Sequence, residues 1–225
     1  MIDNSSSIKN DISISNRLAK CFSSVVHDVM RDEGFKNFVL DPAIKPLKEE
    51  HKIGGQIFTI KGSSNSAYTH DETLLAWTGM LSKAPAEKVL ICQPNDNVVA
   101  LMGELSAEYL LKKKVRGYIT DGGCRDVEFI NNINFPVWSK FNTPKDVVGY
   151  WKPDELETTI TIGDVTINNN DYVLADIDGV VIIPRDNIVN ILEKTENLIN
   201  TENKVRKAIK EGMDPKEAYI KFSAF

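Results

Sequence analysis

Val89-Leu-Ile-Cys92, then Asn97-Val-Val-Ala-Leu-Met-Gly-Glu-Leu-Ser106, then Arg116-Gly-Tyr-Ile-Thr-Asp-Gly-Gly-Cys-Arg-Asp126 is the stretch that decides the fold. Val89–Cys92 is a short, wholly apolar run, the pattern of a strand buried on both faces. Asn97–Met102 reads as a second strand, Leu105 to about Lys114 as a helix entered at Gly103, and Gly117–Thr120 as the next strand. Strand, helix and strand in that order make an α/β layer. Ligands bind such layers at strand ends, where backbone groups are free and the scaffold shapes the loops. Glu104 stands just past one predicted strand end, and Arg125 with Asp126 just past the next. If the strands are parallel neighbours, all three charges share one rim.

Outward from this stretch, Asp71–Leu81 is predicted to be a helix carrying Leu74, Leu75 and Trp77. Gly55–Ile60 is predicted to be a strand, after a turn region at Pro42–Pro46. Ser15–Asp32 reads as one helix, with Leu18, Phe22, Val25, Val26 and Val29 on one face and Gly34 as its stop signal. Met1–Asp11 is polar, rich in Ser and Asn, and lacks the apolar segment of a signal peptide, so residues 1–12 are expected to form a flexible tail. From Pro136 onward the texture changes to short strands at Val137-Trp138, Thr159–Ile162, Val165–Ile167, Tyr172–Ala175 and Val180–Ile183. A long helix from about Asp186 to Lys210 follows. With no internal repeat or linker, residues 13–225 read as a single mixed α/β domain.

The chain has 225 residues, 42% of them hydrophobic, enough for one substantial core. A net charge of −5 and the lack of a basic tract argue against a nucleic-acid partner. Lys112, Lys113 and Lys114 are the one basic run, read as the solvated end of a helix. Apolar runs reach only about five residues, far short of the roughly 20 a membrane span needs. Three scattered cysteines (Cys21, Cys92, Cys124) suit a reducing, cytoplasmic compartment and exclude a cysteine-rich zinc module. The three histidines are equally dispersed, so a metal would be held by oxygen.

The rim residues have a chemistry in common. Leu105 and Ser106 open a helix, where unpaired N–H groups and the helix dipole suit a carboxylate. Gly122 and Gly123 permit close backbone approach. An acid beside an arginine can hold a cation while the guanidinium donates to a developing oxyanion. Read alone, the segment also admits a plainer account, which carries more weight on these residues by themselves: Arg125–Asp126 as a surface ion pair and Asp121-Gly122 as a common turn dipeptide.

The run from Gly103-Glu-Leu-Ser106 to Arg116-Gly-Tyr-Ile-Thr-Asp-Gly-Gly-Cys-Arg-Asp126 resembles the signature of the RraA-like family. That family includes class II 4-hydroxy-4-methyl-2-oxoglutarate/4-carboxy-4-hydroxy-2-oxoadipate aldolases and the RNase E regulator RraA. Its aldolases carry an acid, twenty intervening residues and then Arg-Asp, the spacing of Glu104 and Arg125-Asp126. The similarity continues through Phe135-Pro-Val-Trp138, Thr143-Pro-Lys-Asp146 and Asp176-Ile-Asp-Gly-Val-Val-Ile-Ile-Pro184. Family members are often named menaquinone methyltransferases, yet no glycine-rich loop of a methyl-donor enzyme is present.

The resemblance implies a swivelling β/β/α domain with mixed sheets, an N-terminal helix and a long C-terminal helix, assembled as homotrimers or homohexamers with sites between subunits. It implies Mg²⁺ or Mn²⁺ bound directly by Asp126 and, through water, by Glu104. It also implies Arg125 on the keto oxygen of a small 2-oxo acid, and Gly103, Leu105 and Ser106 around its carboxylate. A glutamate from a neighbouring subunit's C-terminal helix would complete the metal shell through water. Glu202 is the candidate, because it interrupts the stripe Ile191, Thr195, Leu198, Val205 and Ile209. The alternative is that Glu202 lies at the edge of the stripe and reaches water. Two departures stand out: Glu104 replaces the aspartate of characterised aldolases, and Phe129 stands where an acid often follows.

The implied activity is a metal-dependent lyase that cleaves a carbon–carbon bond to give pyruvate, as an aldolase or an oxaloacetate decarboxylase. The alternative is a non-catalytic regulator binding an RNA-degradation enzyme. Other residues carry less. His27 beside Asp28 reads as packing or surface, Asp176 and Asp178 as shaping a turn, and Tyr150 and Trp151 as packing. Cys124 beside Arg125 invites a lowered pKa, but no histidine base is evident nearby.

Overall fold

Helices α1 (Asn4–Leu18) and α2 (Ser23–Asp32) lead into β1 (Lys45–Pro46) and the long strand β2 (Ile53–Ser64). Next come α3 (His70–Lys83), β3 (Lys88–Gln93), α4 (Glu104–Lys112), β4 (Gly117–Thr120), β5 (Gly123–Cys124) and α5 (Val127–Ile133). The second half holds β6 (Val137–Ser139), β7 (Phe141–Asn142), β8 (Trp151–Leu156), β9 (Ile160–Ile162), β10 (Val165–Ile167), β11 (Tyr172–Ala175) and β12 (Val180–Ile183). Helices α6 (Ile188–Lys210) and α7 (Pro215–Phe222) follow. The computed structural model describes residues 4–223.

Strands β2, β3, β4 and β6 run parallel at the centre of an eight-stranded mixed sheet ordered β1-β6-β4-β3-β2-β11-β12, with β8 also on β2. The first half of β2 pairs with β11 and its second half with β8, both antiparallel. Within the β2–β8 pairing, at Lys61/Gly62, the register shifts. Glycine is required there, since a Cβ on Gly62 would lie 2.1 Å from the Trp151 ring.

Three apolar clusters hold the layers together. One, including Trp77, Leu81, Leu90, Tyr118 and Phe135, lies between the sheet and α3, α4 and α5. A second packs the β9–β10 hairpin against Ile57, Val89, Ile91 and Ile119 on the sheet's other face. The third joins α1, α2 and α6 to β11 and β12.

The mixed α/β architecture, N-terminal helices and long C-terminal helix agree with the sequence reading; three local expectations do not. The helix expected over Ser15–Asp32 is two helices, because Phe22 is extended and the Ser23 N–H donates to Asp176 Oδ2 (2.8 Å) rather than to a carbonyl one turn back. α1 begins at Asn4, within the segment expected as a tail, and at Asp11 it accepts a hydrogen bond from the Tyr172 hydroxyl (2.7 Å). Residues 1–3 lie outside the described residues. Asn97–Met102 is no strand of the sheet. The Asp96 carboxylate accepts from the N–H of Val98 and Val99, and the segment makes a single bridge, Ala100 to Gly123.

Candidate active site

Two backbone bonds set the site. Leu101 N–H donates to Gly123 O (2.8 Å) and Arg125 N–H to Met102 O (2.9 Å), fastening the irregular approach to α4 alongside β5. This brings Gly103 and Glu104 against Arg125 and Asp126 although twenty residues separate Glu104 from Arg125.

Asp126 is left-handed (φ 56°, ψ 35°) and starts α5. Aspartate is among the few non-glycine residues that visit this region. Its Oδ2 accepts from the N–H of Glu104 (3.1 Å) and stands 3.4 Å from Arg125 Nε. The carboxylate thereby caps α4, whose own N-cap, Gly103, has no side chain to do so. A Cβ on Gly103 would come within 2.8 Å of Asp126 Oδ2 and 3.1 Å of Arg125 Nε, so the absent side chain is what admits them. The next two N–H groups of the first turn, Leu105 and Ser106, have no acceptor among the described residues. They remain available to an anion.

Arg125 also donates through Nη1 to Asp146 Oδ2 (3.3 Å), so two carboxylates hold the guanidinium. The groups are over a third exposed (38% for Arg125, 36% for Asp126, 46% for Asp146), so the pairs aim the side chains more than they stabilise the fold. The Trp77 indole N–H donates to Ser106 Oγ (2.9 Å), tying α3 to the start of α4. Together these elements enclose a cleft of about 390 Å³ whose lining includes Gly103, Glu104, Leu105, Ser106, Arg125 and Asp126. The three charges expected to share a rim, Glu104, Arg125 and Asp126, thus line one cavity with Gly103, Leu105 and Ser106.

Glu202 is not among them. It sits on α6 in a separate groove with Val205, Arg206, Ile209 and Lys210, so within one chain it contributes nothing to the cleft. Cys124 is fully buried, with Sγ directed at Met102 O and Arg125 O. Burial pushes its pKa up to about 12, the reverse of the lowered value its neighbour Arg125 suggested. It is an inert thiol. The Asp176–Gly179 turn joins β11 to β12, as expected for a turn.

At the far end of α5, Asn134 is also left-handed (φ 58°), and its Oδ1 lies 3.2 Å from His51 Nε2. A neutral ring with its proton on Nε2 makes this bond, and burial pushes the His51 pKa down. Asp146 and Trp77 are the site residues that sequence reasoning missed. Asp146 lies in the Thr143–Asp146 stretch noted for its resemblance, where an acid after Pro144-Lys145 was the available signal.

Asp126 and Glu104 supply oxygen donors of the kind Mg²⁺ or Mn²⁺ prefers, and no hydrogen bond among the described residues reaches Asp126 Oδ1. Among the described residues no three His, Cys, Asp or Glu side chains gather into a metal site. The donor set therefore fits an ion that keeps most of its water, as Mg²⁺ does with one or two carboxylates.

The RraA-like profile, described as Aldolase/RraA, matches residues 23–182. The chain belongs to the RraA-like family. DlpA of Legionella pneumophila is 28% identical over 210 residues, 90% of this chain but 32% of that protein, so the chain spans about a third of its length. A protein of Halalkalibacterium halodurans, named provisionally as a 4-hydroxy-4-methyl-2-oxoglutarate aldolase, is 24% identical over 80% of this chain and 83% of its own. Streptomyces coelicolor RraAS2, described as an unusual member of the RNase ES inhibitor RraA protein family, shares the fold. Its TM-score is 0.77, with 20% identity over 87% of this chain and 97% of that one.

Proposed function

We propose that the cleft is the active site of a divalent-metal-dependent lyase that cleaves a carbon–carbon bond of a small 2-oxo acid and releases pyruvate. The reaction type is that of a 4-hydroxy-4-methyl-2-oxoglutarate aldolase or an oxaloacetate decarboxylase. The observation that carries this reading is Asp126 Oδ2 lying 3.4 Å from Arg125 Nε and 3.1 Å from the N–H of Glu104, at the mouth of α4. A structural ion pair has no need of a cavity, a side-chain-free N-cap and two vacant N–H groups beside it.

In this reading Asp126 would hold Mg²⁺ or Mn²⁺. Glu104 and a neighbouring copy's Glu202 would support it through water, in a cytoplasmic homotrimer or homohexamer. When bound, the ion supplies Lewis acidity to the keto group. The chain's residues do the rest. The N–H groups of Leu105 and Ser106 receive the substrate carboxylate. Arg125 donates to the keto oxygen and stabilises the negative charge it gains as the bond breaks. Glu104 takes the hydroxyl proton through an intervening water. A buried Cys124 with its thiol pushed up to about 12 excludes that residue as nucleophile.

The test is a lactate-dehydrogenase-coupled assay for pyruvate from 4-hydroxy-4-methyl-2-oxoglutarate and from oxaloacetate, with Mg²⁺ or Mn²⁺ and then with EDTA. Metal-dependent pyruvate release is the expected result. Release unaffected by EDTA refutes the metal's role, and no release from any 2-oxo acid leaves the regulator as the better reading.

A further inference from the structure

The cleft contains one cation. Among the described residues Arg125 is its single basic lining residue, whereas Glu104, Asp126 and Asp146 contribute three carboxylates. Lys145 lines a neighbouring groove with Val98, Val99 and Tyr150, which shares Asp146 with the cleft but does not place the lysine in the cleft's own lining. Much of the remaining lining is hydrocarbon from Leu74, Leu81, Met102, Val147 and Val148. Among the described residues two side-chain donors of α3 occur on this wall, and both are spent on protein acceptors. Trp77 Nε1–H donates to Ser106 Oγ (2.9 Å) and the Thr78 hydroxyl to Leu74 O (2.7 Å).

This distribution bears on the substrate's far end, and the inference rests on the lyase reading above. The oxo-carboxylate end uses Arg125 and the N–H groups of Leu105 and Ser106. A bound divalent ion and Arg125 bring three positive charges, which this chain's three lining carboxylates match, and a neighbouring copy's Glu202 would exceed, before any substrate charge is added. A second substrate carboxylate would then face carboxylates and hydrocarbon, and desolvating an unpaired charge is costly. An alkyl end gains free energy on the same surface.

We propose that the substrate is a 4-hydroxy-2-oxo acid whose far end is uncharged and apolar, not a second carboxylate. The hydroxyl proton leaves as the carbinol carbon becomes the carbonyl of an aldehyde or ketone. The bond to the neighbouring methylene breaks, and its electron pair forms the enolate. Protonation of that enolate at carbon gives pyruvate, so atoms and electrons balance without a co-reactant.

Turnover is compared for 4-hydroxy-4-methyl-2-oxohexanoate and 4-hydroxy-4-methyl-2-oxoglutarate, which place an ethyl group and a carboxylate at the same position; the first yields one pyruvate and butanone per cleavage and the second two pyruvates, and rates are counted per cleavage. Calorimetry with Mg²⁺ compares binding of 2-oxopentanoate and 2-oxoglutarate, which need no turnover. The alkyl member is expected to be favoured in both, by about tenfold or more in kcat/KM and in Kd. Thr78→Arg and Leu74→Arg place a cation on the wall and should reduce or reverse both preferences, a change in ratio independent of intrinsic reactivity. If the wild-type protein favours the dicarboxylates, the proposal is overturned and the lyase reading stands. Ratios unmoved in both variants, with helix content unchanged by circular dichroism, overturn it as well. No pyruvate and no binding of either oxo acid removes both readings. Selective binding of 2-oxopentanoate without pyruvate keeps the ligand class and removes the lyase chemistry.

Discussion

Two helices of this protein are capped in the same way, by an aspartate from a distant part of the chain. At α2 the cap is Asp176, 6% exposed, whose carboxylate accepts from Ser23 N–H (2.8 Å), Ser23 Oγ (2.6 Å) and Asp178 N–H (3.1 Å). At α4 the cap is Asp126, its side chain 36% exposed, which among the described residues accepts from Glu104 N–H alone (3.1 Å) and has Arg125 beside it. The helix dipole draws a carboxylate to both places. Saturated and buried, that carboxylate is mortar. Left with spare lone pairs at a cleft mouth, it is free to meet a ligand. The difference lies in how many donors surround the carboxylate, not in residue type.

The contrast is broken most severely at the open cap. Asp126→Asn should lower pyruvate release by about a thousandfold or more, with the melting temperature nearly unchanged because asparagine keeps both the left-handed backbone and an oxygen for the Glu104 N–H. A variant that keeps full turnover would place Asp126 with the structural caps. At the closed cap the outcome inverts. Asp176→Ala removes a buried acceptor of three hydrogen bonds and should cost about 2–4 kcal/mol of stability by urea denaturation. The folded fraction should retain its turnover per molecule. Loss of activity without loss of stability would deny the division of labour between the two.

Two smaller effects sharpen the comparison. Gly103→Ala adds a Cβ at 2.8 Å from Asp126 Oδ2, so the carboxylate must move. Activity should fall by about tenfold with little change in melting temperature, whereas an unchanged rate would mean that the site tolerates the displacement. The last effect concerns the other end of α5. His51 is buried neutral, its pKa lowered by burial from an ordinary 6.5. The unfolded chain then binds the proton more readily, so His51 contributes stability above about 6.5 that is lost as the pH falls from there toward the lowered folded value. Melting temperature followed from pH 7.5 to 5 should show this decline, and His51→Gln should flatten it. Parallel profiles for the two proteins would exclude His51 as its source.

Much of this was legible in the residues. Val89–Cys92 and Gly117–Thr120 announce central strands by their unbroken apolar character, and the family resemblance carried by Glu104 and Arg125-Asp126 singled out the rim residues although the strand expected before Glu104 is absent. Failures came where a distant group overrode local preference. Nothing near Phe22 signals a break, because the acceptor that ends the helical pattern is 153 residues away from Ser23. The strand at Trp151–Leu156 was hidden by Pro153, which a sheet tolerates there because β8 pairs with β2 alone. α5 was missed because it is seven residues long and starts from a left-handed aspartate. α7 should have been found, since Asp214 at the N-cap and Pro215 at the first helical position are ordinary start signals. Pairing of Asp146 with Arg125 is a fact of tertiary structure that no local pattern encodes.

The left-handed backbone of Asp126 has an evolutionary corollary. Asparagine and glycine adopt the same dihedral angles at least as readily. One codon change at this position can therefore remove the anionic anchor while every strand, helix and loop keeps its course. A scaffold built this way can shed its chemistry without risk to its architecture, so catalysts and inert binding proteins can descend from one ancestor through very few steps.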